Sequence, residues 1–353
     1  MNSNKKLLYL NIFDYADDDF PFQIFIGGRG TGKTFSALSG AVEGSCAGKS
    51  IYMRRTLDAW EISLDTKSSE GANPYKSVNR EHGSNLGYER INKKLAGLYA
   101  RESDEDGNLR HVGAPLGYST ALGAVARIRG LDFSEVSDII YDEFCKEKHE
   151  PNMSGEFDAL MNAYETINRN REFDGEPPVR LWLLSNSSDI YNPIFVGLGI
   201  VNICERMCRI KKQHYYDKKR GLAIHILESS PDFVRKKKET ALYRLTAGTR
   251  FADSALNNEF SYDDFSLIQS KSLKGYVPIC SLSHKAYIYR KKGSNELYVS
   301  YANAQCPNFD IEHTQELKSF YSKYGFKLSN LFMKSAITFE SYELKAIVLD
   351  IIL

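Results

Sequence analysis

Residues 27–34, GGRGTGKT, match the pattern G-x-x-x-x-G-K-[ST], which is suited to holding the phosphates of a nucleoside triphosphate. Glycines allow the backbone of such a loop to wrap around a phosphate with its N–H groups pointing inward. Lys33 would neutralise the β and γ phosphates, and the Thr34 hydroxyl would hold Mg²⁺. A strand-like segment, residues 23–26, precedes the loop, and a segment compatible with a helix follows it. The motif predicts a site for ATP and Mg²⁺ made of Gly27, Gly28, Arg29, Gly30, Thr31, Gly32, Lys33 and Thr34.

A second candidate element is the segment DIIYDE, residues 138–143, in which an apolar strand ends in two acids. Asp142 fits the role of a Mg²⁺ ligand, and Glu143 is placed to polarise an attacking water. The adjacent glutamate is typical of P-loop proteins that hydrolyse ATP with their own base, whereas transferases pass the phosphoryl group to a bound acceptor. The acid pair therefore predicts ATP hydrolysis.

Asn186 follows a further apolar segment, residues 179–184, and precedes a polar turn. Ligands of open α/β sheets bind beyond the carboxyl ends of the strands, where this side chain would lie. We interpret Asn186 as a sensor of the γ-phosphate. An asparagine that only ends a strand and begins a turn is the structural alternative.

Triphosphate hydrolysis also needs a cation that meets the charge developing on the transferred phosphoryl group, and an arginine finger accelerates it by about 10³ to 10⁵. Arg169 ends a predicted helix, residues 154–169, just before the strand that carries Asn186. It is our first candidate, as a finger donated to a neighbouring subunit, since the end of this helix can lie at a ring interface. A cation that complements the helix dipole is the structural alternative. Further candidates are Arg171, Arg129, Arg54 and Arg55.

The elements that must position these residues are short segments, apolar at nearly every residue, which is typical of strands buried on both faces of a parallel sheet. The helical pattern of residues 154–169, with Ser154 as its predicted N-cap, lies between two of them, so the connections are crossovers. The predicted fold class is α/β, with a mainly parallel sheet. The predicted strands are residues 22–26, 50–54, 138–141 and 179–184.

A chain of 353 residues is too long for one ordinary core and suits two domains. We predict an ATPase domain over residues 1–200 with a polar insertion at about 63–117, which carries hairpins and an acidic loop. A basic linker follows at residues 201–255. The last part, residues 256–353, is expected to be a smaller mixed α/β domain with a helix that stops at Gly325. Its predicted strands are residues 276–280, 285–290 and 297–301.

The basic segment stands out in a chain of net charge +1, since residues 201–250 hold 13 Lys or Arg against 5 Asp or Glu. Clustered cations attract the phosphates of a polyanion. A solvated helical face is the alternative interpretation. The basic positions include Arg206, Arg209, Lys211, Lys212, Lys218, Lys219, Arg220 and the run at 235–238.

Other features exclude whole classes of protein. No apolar run approaches the roughly 20 residues that span a bilayer, and the amino-terminal residues lack the pattern of a secretory signal, so we expect no membrane contact and a cytosolic location. The six cysteines are dispersed without a CxxC pair, which argues against a structural zinc and a disulfide scaffold.

The motifs GGRGTGKT, IYMRR, IIYDEF, NRNRE and LLSNSSDIYNP, in this order and at these intervals, resemble the DNA-packaging motor ATPases of small short-tailed phages of the phi-twenty-nine type. The likeness is strongest over residues 22–195. It implies a terminase-like, RecA-like P-loop ATPase of the additional-strand, catalytic-glutamate class. Such ATPases form a ring, commonly of five subunits, on the portal vertex of an assembling prohead in the host cytoplasm. They drive double-stranded DNA into the prohead, and in that group a structural RNA links motor and prohead.

Carried over residue by residue, the resemblance makes Asp142 the Walker B acid, Glu143 the catalytic glutamate and Arg169 the finger in trans. Arg129 matches a basic position that contacts nucleotide across the interface, where lysine also occurs in relatives. The resemblance also favours the polyanion interpretation of the basic segment.

Larger terminases carry a carboxy-terminal nuclease of the ribonuclease H type, with clustered acids at strand ends. Here Cys280, Ser281 and Ser300 lie where such acids would be needed, so two-metal cleavage lacks ligands. We expect a vestigial, non-cleaving domain with a basic surface that contacts DNA, RNA or the portal. That surface would comprise Lys285, Arg290, Lys291 and Lys292.

Competing functions remain open at this level. A metabolite kinase would need an acceptor pocket and a lid rich in arginines, and neither can be located. A regulatory GTPase would need the base-reading motif N-K-x-D, which the sequence lacks. A nucleotide-gated, nucleic-acid-binding adaptor would bind ATP without hydrolysing it, and this alternative fits if Glu143 is not directed at water.

Overall fold

The computed structural model divides the chain into two compact units, Met1–Gly197 with Ile210–Ser261 and Leu198–Arg209 with Tyr262–Leu353. It describes residues 9–43, 46, 48–64, 73–106, 108–127, 132–146, 150, 153–186, 190–249 and 267–352.

The first unit is built on a nine-stranded sheet in the order β3-β4-β5-β2-β6-β7-β1-β9-β8. Six neighbouring strands run parallel: β5, β2, β6, β7, β1 and β9. Antiparallel strands flank them on both sides, β4 next to β5 and β8 next to β9. The predicted α/β class with a mainly parallel sheet is confirmed. The strands are β1 (Phe22–Gly27), β2 (Lys49–Arg54), β3 (Leu86–Asn92), β4 (Leu95–Ser103), β5 (Leu109–Ala121), β6 (Val136–Asp142), β7 (Arg180–Asn186), β8 (His214–Asp217) and β9 (Leu222–Leu227).

Helices connect these strands, and short 3₁₀ turns occur at Ile12–Asp14, Leu122–Arg127 and Arg171–Asp174. The helix between β6 and β7 starts at Glu156, after Gly155 in the left-handed conformation, so the predicted Ser154 cap is wrong. The helices up to residue 245 are α1 (Lys33–Glu43), α2 (Leu57–Ser63), α3 (Lys76–His82), α4 (Glu156–Asn168), α5 (Pro193–Gly197), α6 (Val201–Arg209), α7 (Pro231–Lys238) and α8 (Ala241–Leu245).

Large apolar side chains from the central strands and α1 form one buried cluster of the first unit. Phe25 and Trp182 stack at 5.9 Å between ring centroids, and the indole N–H of Trp182 donates to Asp138 at 2.8 Å. Fully burying side chains of this size contributes roughly 1.5–3 kcal/mol each. The packing fixes the register of the strands whose carboxyl ends carry the candidate site residues.

The predicted insertion is part of the main sheet. Its strands β3, β4 and β5 extend the sheet beyond β2, because β5 pairs in parallel with β2 over residues 117–121. The acidic stretch after β4 forms a turn in which the Asp104 carboxylate accepts from the backbone N–H of Asp106 at 3.1 Å and of Asn108 at 2.8 Å.

The basic segment differs from the predicted linker. Residues 201–209 form α6 in the second unit, whereas β8, β9, α7 and α8 belong to the first. Strand β9 covers the edge of β1, and its Ala223 and Ile224 are fully buried. Sequence analysis missed this buried strand because the turns beside it and α7 are highly charged.

The second unit contains a five-stranded sheet in the order β13-β10-β11-β12-β14. Strands β10, β11 and β12 correspond to the three predicted strands and form an antiparallel meander. The predicted helix stop at Gly325 is wrong, because Gly325 is helical (φ −52°, ψ −57°) and the chain continues through the π-helical turn Tyr321–Gly325. A Cβ at Gly325 would lie 2.8 Å from Cδ2 of Tyr321, so this glycine permits a close approach. The elements are β10 (Tyr276–Leu282), β11 (Ala286–Lys291), β12 (Leu297–Ser300), β13 (Asn308–Phe309), α9 (Thr314–Phe320), α10 (Phe326–Met333), β14 (Ile337–Phe339) and α11 (Tyr342–Ile352).

Among the described helices of both units, none has the length and apolar character needed to cross a membrane.

Candidate nucleotide site

The loop between β1 and α1 has the backbone that a phosphate cradle requires. Gly30 (φ +78°) and Gly32 (φ +107°) have positive φ angles, which residues with a Cβ atom rarely adopt. A Cβ at Gly27 would lie 2.9 Å from the Leu227 carbonyl oxygen, so β9 also depends on a glycine here. The loop ends at the amino terminus of the 11-residue helix α1, where the helix dipole and unpaired N–H groups favour an anion.

Lys33 lies beneath this loop and is 6% exposed. Its ammonium group donates to the carbonyl oxygens of Gly27 at 2.9 Å and Gly28 at 3.0 Å. Burial lowers the pKa of Lys33 to about 8, an effect that Asp142 opposes and Lys237 reinforces. A phosphate group would therefore meet a cation held in place but only weakly solvated.

Thr34 and Asp142 meet at the mouth of the loop. The Thr34 hydroxyl donates to Oδ2 of Asp142 at 3.0 Å, and the Tyr52 hydroxyl donates to the same oxygen at 2.9 Å. Burial raises the pKa of Asp142. A hydroxyl and a buried carboxylate are hard oxygen donors of the kind Mg²⁺ prefers, so the pair fits that ion.

No group of three or more His, Cys, Asp or Glu side chains suited to a metal occurs within the described residues. One carboxylate is nevertheless sufficient for Mg²⁺ at a phosphate site, where waters and phosphate oxygens supply the other ligands.

Glu143 follows Asp142 in a left-handed backbone conformation (φ +54°), which is strained for a glutamate. Its carboxylate accepts from Nη2 of Arg54 at 2.5 Å, and Nη1 of the same arginine is 3.4 Å from Asp142. Arg54 thus lies in the site of its own chain, whereas the sequence suggested it only as one candidate finger. The feature that could have located Arg54 in the site is its position at the carboxyl end of β2, where it pairs in register with Asp142.

The adjacent residue Arg55, which was also a candidate finger, has a structural role. Its guanidinium forms a bidentate pair with the Glu156 carboxylate at 2.9 and 3.1 Å, and both side chains are buried. This pair joins the end of β2 to the start of α4.

A cavity of about 380 Å³ brings the predicted residues together. Asn186 lines it because β7 and β1 pair in parallel, which sets Asn186 opposite Gly27. Helix α3 forms part of the wall, a contribution that the sequence gave no motif for. The lining comprises Tyr9, residues 29–35, Ser77, Arg80, Glu81, Asp142, Glu143, Ser185 and Asn186.

Arg169 is not near this cavity. It is exposed and follows α4 with φ +49° and ψ −137°, close to Asp132 at the amino-terminal edge of the sheet. The cavity lies at the carboxyl edge, and strands of six or seven residues span roughly 20 Å. Arg169 therefore cannot serve the P-loop of its own chain. The neighbouring candidate Arg171 anchors the turn, donating to the Val136 carbonyl at 2.7 Å, and Arg129 lies outside the described residues.

The lowered pKa of Lys33 predicts that nucleotide binding depends on pH. Bound phosphate stabilises the charged amine, so the complex takes up a proton above pH 8 and affinity should fall by up to about tenfold per pH unit there. Titrations of a fluorescent ATP analogue from pH 7 to 9.5 would measure this. The Lys33→Arg variant should lose the dependence because its guanidinium stays charged. If Lys33→Arg keeps the wild-type pH profile, another group is responsible, the first candidate being Lys237, whose pKa is also lowered by burial.

A parallel α/β sheet with a G-x-x-x-x-G-K-T loop before α1 and an Asp-Glu pair at the end of an inner strand is consistent with the P-loop class. The sequence of residues 113–351 matches the model of the Podovirus DNA encapsidation protein (Gp16) family, and the chain belongs to that family.

Curated relatives include the DNA packaging proteins of Bacillus phage PZA, 32% identical over 141 residues, and of Bacillus phage B103, 31% identical over 157 residues. These alignments cover 40% and 44% of this chain, and 38% and 44% of the respective relatives.

Two solved structures share the fold. They are the bacteriophage Phi-29 viral genome packaging motor assembly (TM-score 0.63, 22% identity, covering 97% of this chain and 98% of that one) and the Phi-28 gp11 DNA packaging motor (TM-score 0.58, 18% identity, covering 99% and 98%).

Proposed function

We propose that this protein is the ATPase subunit of a phage motor that hydrolyses ATP to move double-stranded DNA into a prohead. The observation that carries the proposal is the convergence of Lys33, Thr34, Asp142 and Glu143 on one cavity at the carboxyl edge of the sheet. Membership of the encapsidation family and relatives named DNA packaging proteins support the choice of substrate.

In this proposal the N–H groups of the P-loop bind the β and γ phosphates and Lys33 neutralises them. Thr34 and Asp142 would hold Mg²⁺, which when bound offsets the negative charge of the phosphate oxygens. Tyr52 keeps the Asp142 carboxylate oriented through its 2.9 Å hydrogen bond.

Glu143 acts as the general base that orients and deprotonates the attacking water. Arg54 fixes the position of this carboxylate beside the cavity, since Glu143 is half exposed and would otherwise rotate freely. Asn186 lies on the same wall and reads the γ-phosphate through its side-chain amide.

Arg169 supplies the cation for the transition state, and it does so in the site of a neighbouring subunit. Its distance from the P-loop of its own chain supports this assignment. Arg129 would contact nucleotide across the same interface. We infer a ring, with five subunits as the expected number from the family resemblance.

The second unit is proposed to be a vestigial ribonuclease-H-like domain that binds nucleic acid or the portal without cleaving. Cys280 and Ser281 are buried, Ser281 donates to the Asn308 side chain at 2.9 Å, and Ser300 donates to Glu340 at 2.5 Å. Neutral side chains at these three positions supply no carboxylate ligands for a two-metal site.

The proposed basic surface of this unit is weaker than its sequence suggests. Lys291 pairs with Glu296 at 3.1 Å and Lys285 lies 3.7 Å from Glu312, so Arg290 and Lys292 would provide most of the contact with DNA, a prohead structural RNA or the portal.

The basic segment would also contribute to the DNA path, but from two separate edges of the first unit. Lys218, Lys219 and Arg220 form the turn before β9 at the amino-terminal edge of the sheet, whereas α7 lies at the opposite edge beside the P-loop. The motor would act in the host cytoplasm, at the portal vertex of assembling proheads.

The proposal predicts that long duplex DNA stimulates ATP hydrolysis with little sequence preference and with a steep salt dependence. A protein that makes 6–10 phosphate contacts loses about 10³ to 10⁵ in affinity between 50 and 200 mM salt. ATPase rates with duplexes of unrelated sequence, titrated at several salt concentrations, measure both properties. Turnover that is unaffected by DNA but requires a small acceptor would instead indicate a kinase. Nucleotide binding without turnover would indicate an adaptor.

A further inference from the structure

Two exposed apolar surfaces of the first unit carry opposite charge at their margins. The turn surface consists of Phe173, which is 87% exposed, with Glu172 and Asp174 beside it in the 3₁₀ turn after α4. The second surface lies on α8, and we call α7 and α8 together the hairpin. This hairpin surface consists of Leu242 and Leu245, which are 50% and 83% exposed. Three exposed cations lie on α7 and α8, close to these leucines in sequence: Lys236, Lys238 and Arg244.

The turn surface is held by a hydrogen-bonded frame. The Phe173 N–H donates to the backbone carbonyl oxygen of Asn170 at 2.8 Å, and the Glu176 N–H donates to the backbone carbonyl oxygen of Arg171 at 3.0 Å. Arg171 in turn binds the Val136 carbonyl at the start of β6. Because the backbone of the turn is already held, binding a partner needs to order only the side chain of Phe173.

The hairpin surface is tied to the P-loop. The ammonium group of Lys237 donates to the Arg29 carbonyl at 2.5 Å, and it lies between the rings of Phe233 and Tyr243, 5.1 and 5.2 Å from their centroids. Phe233 also approaches the loop closely, since a Cβ on Gly30 would lie 4.0 Å from its ring. Whatever binds Leu242 and Leu245 therefore lies next to the nucleotide cavity.

The two surfaces cannot meet within one chain, because the turn precedes β7 at the amino-terminal edge of the sheet and the hairpin lies at the carboxyl edge. Contact between two different surfaces of identical chains is a heterologous interface, the kind that closes into rings. The acids beside Phe173 and the cations of α7 and α8 are opposite in sign, so these two sets of side chains are electrostatically complementary, as in specific interfaces.

We propose that the turn surface of one copy docks on the hairpin surface of the next, with Phe173 inserted against Leu242 and Leu245. The contact rests on the proposed function of Arg169, which is four residues from Phe173 and would be carried to the P-loop of the neighbour. It adds the residues that bring the two subunits together. The hairpin would then contact the neighbouring subunit through Leu242 and Leu245, and the P-loop of its own chain through Lys237.

Cysteine cross-linking between two differently sized versions of the full chain tests this contact. One version carries Phe173→Cys and the other Leu245→Cys, with the partly exposed Cys208 and Cys306 replaced by serine in both. The mixture should give the mixed dimer in the presence of Mg²⁺ and an ATP analogue, and neither version alone should cross-link. The matched control pairs Phe173→Cys with Leu116→Cys, since Leu116 is 52% exposed on β5. Absence of the mixed product, or an equal yield from the control pair, overturns the proposal.

Charge reversal gives a second readout. Replacing both Glu172 and Asp174 with lysine should raise the protein concentration needed for half-maximal ATPase activity in the absence of DNA by about tenfold, and replacing Lys236 and Lys238 with glutamate in the same chain should restore it. Leaving DNA out of this assay keeps any DNA contact of α7 from affecting the result. Failure of the second pair to restore the activity counts against the contact. Nucleotide binding by each variant, measured with a fluorescent analogue, should match wild type.

The binding assay separates the two levels of the account. Loss of the contact with intact, Lys33-dependent nucleotide binding and turnover would leave the proposed function standing. If duplex DNA, rather than a second copy, protects Leu245→Cys from a maleimide at protein concentrations too low for association, the hairpin surface is a DNA site and the proposal is wrong.

Discussion

Replacing Arg169 with alanine is expected to lower kcat for ATP by about 10³ to 10⁵, the contribution of an arginine finger, while nucleotide affinity stays near wild type. The residue lies at the amino-terminal edge of the sheet, a strand length of roughly 20 Å from the carboxyl edge that carries the P-loop, so its loss should leave the cavity of its own chain intact. Steady-state ATPase assays with duplex DNA and titrations with a fluorescent ATP analogue measure the two quantities. The control is Arg110→Ala, which removes another exposed arginine, paired with Asp104 at 2.8 Å, and should keep most of the activity.

Mixing variants locates the finger. A chain with Arg169→Ala retains its own Glu143, and a chain with Glu143→Gln retains its own Arg169. If the arginine acts in the neighbouring site, some interfaces of the mixture combine the intact residues and activity should return. Equal inactivity of the mixture and of both separate variants would contradict a finger in trans.

The Glu143→Gln substitution is expected to reduce kcat by about 10² to 10⁴, the usual contribution of a general base. Glutamine keeps the shape of the side chain but cannot accept the proton of the attacking water. ATP and Mg²⁺ should still bind, because Lys33, Thr34 and Asp142 are unchanged. Rapid-quench measurement of a single turnover separates this loss in the chemical step from changes in product release.

The matched control is Glu135→Gln, at the other end of the same strand. Its carboxylate is 71% exposed and pairs with Lys49 at 2.6 Å, so the change should leave the rate within a small factor of wild type. A Glu143→Gln protein that hydrolyses ATP at the rate of the Glu135→Gln control would mean that Glu143 is not the base.

The parts of the site that sequence analysis located share one property. The P-loop, the Asp142–Glu143 pair and Asn186 each follow a short apolar run, and parallel strands bring their carboxyl ends to one edge. Local pattern and a general rule of α/β sheets were therefore sufficient to predict that they meet.

The position of Arg54 depended on information that is not local. Its contact with Glu143 follows from the parallel pairing of β2 with β6, which sets it opposite Asp142. The sequence shows both strands but not their order in the sheet. Helix α3 contributes to the cavity for the same reason, since only the tertiary fold brings it there.

Strand β9 was missed for a different reason. Its sequence LAIHIL is apolar except for His225 and follows Gly221, which is a recognisable strand signal, but the surrounding basic residues dominated the composition of the segment. The Gly325 error has a similar origin, because a glycine that permits close packing and one that ends a helix are identical in sequence.

An experimental structure with Mg²⁺ and a nonhydrolysable ATP analogue tests the central claim most directly. The account predicts that the β and γ phosphates contact Lys33 and the P-loop N–H groups, that the metal lies between Thr34 and Asp142, and that the Glu143 carboxylate faces the γ-phosphate. An analogue bound elsewhere, or bound in the cavity with its phosphates directed away from Lys33, would contradict it.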